Sequence, residues 1–239
     1  PAADQADADA LPAGFGPAFD ALAARRAPLA GAPSQIADIP VNEVPAAGGG
    51  SRFAVLISGD GGWASIDKQI AAALARQGVP VVGIDSLRYF WSARTPEGVA
   101  QDVDRVVRYY AAHWQRSEAI LIGYSQGADV LPFAYNRLSP AVRERVRLTA
   151  LIGPGRKAAF EFHLSNWIGS SGDRPIAPEA RRLKAAETLC IYGTDEKADS
   201  LCPELAPASA QVVATAGGHH LDGNYEALAA RIIAAVPAR

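Results

Sequence analysis

Short apolar runs recur along the chain at Phe53–Ser58, Val79–Asp85, Ile120–Gly123, Leu148–Ile152, Thr188–Tyr192 and Gln211–Ala214. Their near-continuous apolar character predicts strands covered on both faces, as in a mostly parallel sheet. Between them the period changes to that of a helix face. Ile66–Gln77 carries Ile66, Ile70, Ala73 and Leu74 on one side and stops at Gly78. Pro96–Trp114 aligns Val99, Val103, Val106, Val107 and Tyr110, with Thr95 as N-cap and Pro96 in the first turn. A third helix is expected over Gln126–Asn136 and a closing amphipathic one over Tyr225–Val236. Alternation of strands and helices implies right-handed crossovers and a doubly wound α/β domain with helices on both faces.

Three stretches fall outside this rhythm. Residues 1–33 are rich in Ala, Pro, Gly and Asp, with one weak helical patch at Phe19–Arg26, and read as a leader or linker ahead of a catalytic domain over 34–239. Ile36–Val44 alternates imperfectly and contains Pro40, which restricts a strand there to a sheet edge. Ala158–Pro178 mixes aromatics, polar residues and glycines without a period, and is expected to form a small inserted cap or lid.

The chemistry concentrates where the strand from Ile120 ends in Gly123-Tyr124-Ser125-Gln126-Gly127. The G-x-S-x-G spacing fits a sharp strand-to-helix elbow that exposes a serine hydroxyl, with glycines relieving the crowding on either side. The competing reading is a serine that only caps the following helix. A serine hydroxyl is a weak nucleophile, so a base and an orienting acid must follow, in the order Ser, acid, His for an α/β-hydrolase arrangement. The base is expected from Ala216-Gly217-Gly218-His219-His220 after the last strand, with His219 favoured and His220 the alternative. The acid is expected after Thr188–Tyr192, with Glu196 favoured and Asp199 the alternative. For an oxyanion, one N–H follows the nucleophile at Gln126. A second is expected from Ser58-Gly59-Asp60-Gly61-Gly62-Trp63, at Asp60 or next at Gly61.

Composition narrows the partners. A net charge of -2 and a pI near 6.1 give no basic footprint for nucleic acid. No apolar run approaches the ~20 residues of a membrane span. Cys190 and Cys202 are either a disulfide, which points to an oxidising compartment such as the periplasm, or two unrelated buried thiols. A bridge would close the loop that carries the acid. The chain starts at Pro1 and contains no Met, so an upstream segment is expected. The loop Ser86–Pro96 leaves a strand at its carboxyl end, where ligands bind in open α/β sheets, although its aromatics would equally cover core.

Together, SGDGGW (58–63), SLRYFW (86–91), GYSQGADVLPF (123–133) and GGHHLDGNY (217–225) resemble the bacterial VirJ/AcvB family, from about Ile36 to the C-terminus. The resemblance implies a periplasmic α/β-hydrolase that removes the amino acid from aminoacyl-phosphatidylglycerol, such as the lysyl or alanyl lipid, without metal or organic cofactor. It carries over Ser125 as nucleophile and the His219/His220 loop as base. On that reading Asp60 or Asp222 would meet the substrate ammonium, Trp63, Phe90, Trp91 and Trp167 the lipid, and Arg88 and Arg94 its phosphate. A general carboxylesterase or thioesterase, and a non-catalytic secretion-associated binding protein, are the alternatives. Oligomeric state is not legible.

Overall fold

A computed structural model describes residues 35–161, 173–205 and 209–238. Seven strands build one sheet: β1 (Val41–Val44), β2 (Arg52–Ile57), β3 (Val81–Ile84), β4 (Glu118–Tyr124), β5 (Val146–Ile152), β8 (Thr188–Gly193) and β9 (Gln211–Thr215). Their spatial order is β1-β3-β2-β4-β5-β8-β9, and every pairing is parallel except that of β1 with β3. The antiparallel edge strand begins directly after Pro40, whose carbonyl accepts from Asp85 N at 2.9 Å while its nitrogen has no N–H to offer. Two-residue strands β6 (Lys157–Ala158) and β7 (Arg174–Pro175) pair antiparallel and clasp the base of the inserted segment. Residues 162–172 of that segment lie outside the described ones, so the expected lid is described only at its ends.

Among the described residues four long helices cover the sheet: α1 (Ser65–Arg76), α2 (Pro96–His113), α3 (Gln126–Arg137) and α4 (Tyr225–Ala234). Alternate strand residues point to opposite faces, and the apolar runs therefore feed two separate cores. Phe53, Val55, Ile57 and Leu121 join Val99, Val103 and Val107 of α2 and Leu131 of α3 on one face. Ala54, Leu56, Ile120 and Ile122 join Ile70 and Leu74 of α1 and Leu228 and Ile232 of α4 on the other. The caps behave as their sequences dictate: Thr95 Oγ1 accepts from Gly98 N at 3.0 Å and Asn224 Oδ1 accepts from Ala227 N at 3.0 Å.

The loop after β3 contains a helical turn that periodicity missed. Asp85 Oδ1 accepts from Arg88 N at 3.3 Å and caps residues Ser86–Tyr89. Four residues are too few for a helical period to declare itself.

Every parallel strand delivers its C-terminal end to the same edge, so the loops after β2, β3, β4, β5, β8 and β9 converge there. The convergence depends on bare backbone. At the start of α3, a Cβ on Gly127 would lie 2.0 Å from the Ile57 carbonyl oxygen. A Cβ on Gly123 would lie 2.4 Å from the Gly127 carbonyl oxygen. Backbone cannot yield at such distances, so Gly127→Ala should lower the unfolding free energy by about 3 kcal/mol or more in a urea titration. Gly49→Ala, at a position with open space around it, should change it by less than ~0.5 kcal/mol.

Candidate active site

Ser125 stands between β4 and α3 with φ 53 and ψ -119, a conformation that non-glycine residues avoid. Its backbone N–H donates to Ile152 O at 2.9 Å and its carbonyl accepts from Asp129 N at 3.0 Å, so the turn is tied to β5 on one side and to α3 on the other. Ser125 makes no side-chain capping bond to the helix. Its Oγ instead lies 2.8 Å from His219 Nε2, and His219 Nδ1 lies 3.0 Å from Glu196 Oε2. These three side chains come from the ends of β4, β9 and β8.

Each partner is held from behind. The Tyr124 hydroxyl donates to the His219 carbonyl at 3.2 Å, and its ring centre stands 5.3 Å from the imidazole. A Cβ on Gly193 would lie 2.2 Å from Gly218 O, so the end of β8 accepts the histidine loop only because it lacks a side chain. Gly217 takes φ 87, in the left-handed region that glycine enters without strain. Glu196 closes a 3₁₀ turn, Thr194–Glu196, directly after β8. Cys190 in β8 and Cys202 form a disulfide that encloses this turn. Closing a loop of 12 residues is worth about 3 kcal/mol through the unfolded chain.

The alternatives fall elsewhere. His220 is exposed, and its described contact is a bond from the Tyr225 hydroxyl to its carbonyl. Asp199 is exposed and donates its backbone N–H to Glu196 O at 3.0 Å. Neither side chain reaches the serine.

The loop after β2 passes the serine at Gly59, where a Cβ would stand 3.4 Å from Ser125 Cβ. Asp60 and Gly61 follow, half-buried and exposed respectively. The N–H of Gly62 is already committed to Gly59 O at 3.0 Å. Gln126 opens α3, whose first N–H groups have no partner within the helix.

A buried polar frame that the sequence did not announce supports this loop. Ser86 N donates to Ser58 Oγ at 2.9 Å while Ser86 Oγ donates to Ser58 O at 2.7 Å, and both residues are fully buried. Asp85 accepts backbone N–H bonds from Arg88, Trp63 and Leu87, yet burial still raises its carboxyl above the ordinary range. Beneath the loop, Asp67 of α1 is 1% exposed and accepts from Ala64 N at 3.4 Å. Burial pushes its carboxyl up to about 6, against the N–H bonds from Ala64 and Gly59, and the nearby Asp85 adds to the shift. Charged residues within a helix pattern normally read as solvated, which is why Asp67 escaped notice.

Several expected substrate contacts have other duties. Phe90 is 0% exposed and sits edge-on to Tyr89 and Phe160 in the core, so the lipid-contact reading is corrected for it. Trp63 lays its ring on Gly83, where a Cβ would lie 2.0 Å away, and packs against the sheet. Arg94 donates to Tyr89 O at 3.1 Å, lies over the Tyr89 ring and stands 3.9 Å from Asp102. Asp222 is exposed and accepts from Asn224 N at 3.0 Å, capping a turn. Arg88 and Trp91 are half-buried in the loop after β3. Trp167 lies outside the described residues.

Residues 51–239 match the family model described as bacterial virulence protein (VirJ). The chain belongs to the VirJ family. A search of curated proteins found no match. Solved structures resemble this family member in fold. MenH from S. aureus is 12% identical with a TM-score of 0.61, over 82% of this chain and 97% of that one. Est1E from Butyrivibrio proteoclasticus, solved with ferulic acid, is 14% identical with a TM-score of 0.58, over 82% and 93%. The esterase EaEST from Exiguobacterium antarcticum is 12% identical with a TM-score of 0.55, over 82% and 94%. The chain therefore has the α/β-hydrolase fold. Among the described residues no helix is long and apolar enough to cross a membrane, and no three His, Cys, Asp or Glu side chains are placed to hold a metal.

Asp67 carries a pH signature. A carboxyl raised from 3.8 to about 6 on folding makes the folded chain bind more protons between those values. Its stabilising contribution is complete below pH 3.8 and is lost as pH rises through about 6. Asp67→Asn removes that loss, so relative to wild type the variant should gain about 2 kcal/mol of unfolding free energy between pH 4 and pH 7 in chemical denaturation. Parallel wild-type and variant curves would contradict this.

Proposed function

We propose that this chain is a serine hydrolase that cleaves the aminoacyl ester of aminoacyl-phosphatidylglycerol, releasing the free amino acid and phosphatidylglycerol. The hydrogen-bonded series Ser125–His219–Glu196 in a VirJ-family chain carries this reading. His219 Nε2 takes the proton as Ser125 Oγ attacks the ester carbonyl, and Glu196 holds the imidazole with Nε2 facing the serine. Backbone N–H groups of Gln126 and Asp60 stabilise the oxyanion. Collapse of the tetrahedral intermediate breaks the ester C–O bond, and His219 returns the proton to the departing glycerol hydroxyl of phosphatidylglycerol. Water, deprotonated by the same histidine, then attacks the acyl-serine and releases the amino acid.

The ester suits this apparatus. Its carbonyl is activated by the neighbouring α-ammonium, and no metal or organic cofactor is required. Asp60, beside the serine on the loop after β2, is suited to that ammonium. Arg88 and Trp91, on the next loop, would face the phosphate and the glycerol backbone of a lipid at a membrane surface. A disulfide fits an oxidising compartment, so we assign the enzyme to the periplasm. Residues 1–33 are read as a leader or interdomain linker outside the catalytic domain. A general esterase or thioesterase is the second reading, favoured by fold neighbours that include an esterase and a type II thioesterase.

Purified protein mixed with vesicles containing lysyl- or alanyl-phosphatidylglycerol should convert the aminoacyl lipid to phosphatidylglycerol, followed by mass spectrometry. Ser125→Ala should abolish conversion, and Glu196→Gln should lower kcat on the order of 10³- to 10⁴-fold, whereas Asp199→Asn stays within about twofold of wild type. Intact aminoacyl lipid beside rapid cleavage of short soluble esters would favour the second reading.

A further inference from the structure

Asp129 is the acidic residue one turn beyond the serine, and nothing in the mechanism uses it. Two hydrogen bonds fix its position. Its backbone N–H bonds Ser125 O at 3.0 Å, and its Oδ1 accepts from Gly155 N at 2.8 Å. The segment that supplies Gly155 begins at Gly153, where a Cβ would be 3.5 Å from the His219 ring. Asp129 therefore stands beside the reacting serine and histidine, behind the loop that follows β5.

Gln126 shares its surroundings. Residues three apart lie on one helix face, and both side chains reach the same segment, Gln126 Nε2 donating to Ala159 O at 3.4 Å. Gln126 is 8% exposed, and its buried Oε1 has no hydrogen-bond partner. Exchanging its amide oxygen and nitrogen does not help, because Ala159 presents only a carbonyl. Across the serine, Asp60 acts on Asp129 as a like charge. Burial, with that repulsion added, raises the Asp129 carboxyl well above the ordinary range despite the Gly155 N–H. Among the described residues neither Asp60 nor Asp129 forms an ion pair, so two carboxyls on the elements that flank the serine, and the unpartnered Gln126 amide oxygen, have no cation to balance them.

We propose that Asp129, with Asp60 and the Gln126 amide oxygen, forms a subsite that binds a primary ammonium on the acyl group of the substrate. Three acceptor groups match the three N–H donors of a primary ammonium. A calcium ion would ask for six to eight oxygens. The subsite makes an ester bearing an amine on its acyl side the preferred substrate, and it rests on the reading of Ser125 as an ester-cleaving nucleophile.

The test compares kcat/KM for an alanyl ester and for the propionyl ester of the same alcohol, which differ only in the amine. Wild type should prefer the alanyl ester. Asp129→Asn keeps the shape and the bond from Gly155 but cannot ionise against a bound ammonium, and should reduce that preference roughly 10- to 100-fold. A structural role would lower both rates and leave the ratio intact. Should the variant not fold, wild type alone decides. 1-Aminoethylboronic acid, which captures the serine with the amine in place, should inhibit at least about tenfold better than ethylboronic acid. Equal inhibition, or a ratio that Asp129→Asn leaves unchanged, overturns the subsite. Vesicles of alanyl-phosphatidylglycerol separate the two claims. Cleavage of the lipid with an unaltered ratio keeps the lipid reading and removes the subsite. An Asp129-dependent preference with the lipid left intact keeps the subsite and removes the lipid reading.

Discussion

The close passage of Gly127 beneath the Ile57 carbonyl is the constraint on which the molecule turns. It joins the start of α3 to the end of β2 with no room for a side chain, and so brings the loop after β2 against the turn that bears Ser125. The serine is held in a backbone conformation that costs on the order of 1–3 kcal/mol. Only surrounding packing can maintain it. Bonds from the Ser125 backbone to Ile152 and Asp129 spread that load over β5 and α3. The position of the hydroxyl is therefore a property of four elements together.

Two further loops must reach the same point, and each does so by a different physical device. The histidine loop lies flat on the end of β8 because Gly193 leaves room for the Gly217 and Gly218 carbonyls, and Tyr124 secures it through the His219 carbonyl. The acid loop is short, polar and largely exposed, so apolar packing alone holds it poorly. The Cys190–Cys202 bridge supplies a covalent substitute. Beneath the loop after β2, where backbone polar groups are withdrawn from water, the Ser58–Ser86 pair, Asp85 and Asp67 provide the missing partners. That arrangement satisfies the N–H groups but leaves two carboxyls in an environment that resists their charge. Asp129, on the other side of the serine, is a third. Groups with shifted pKa values collect around functional sites, where the chemistry uses them at a cost in stability.

Much of this was legible in the chain itself. Apolar runs of strand length separated by helical spacing are a local record of which faces are buried, and they mark the parallel sheet, its helices and the Pro40-limited edge to within a few residues. G-x-S-x-G, Gly-Gly-His-His and the acidic stretch after Tyr192 were equally visible, because backbone crowding demands glycine wherever it occurs. What the chain could not decide was direction. His219 against His220, and Glu196 against Asp199, differ only in where adjacent side chains point, and that depends on loop curvature fixed by distant contacts. Aromatics and arginines were ambiguous for the same reason: Phe90, Trp63 and Arg94 have the chemistry to meet a ligand, yet packing directs them to the core, the sheet and Tyr89. Nor does any local pattern distinguish Asp67 or Asp129 from solvated acids, since burial belongs to the assembled fold. Sequence determined the elements and the types of group at the sheet edge, through short-range sterics and periodicity. Tertiary structure alone decided which of those groups meet, because a hydrogen bond of about 3 Å between residues 94 positions apart is set by the whole sheet.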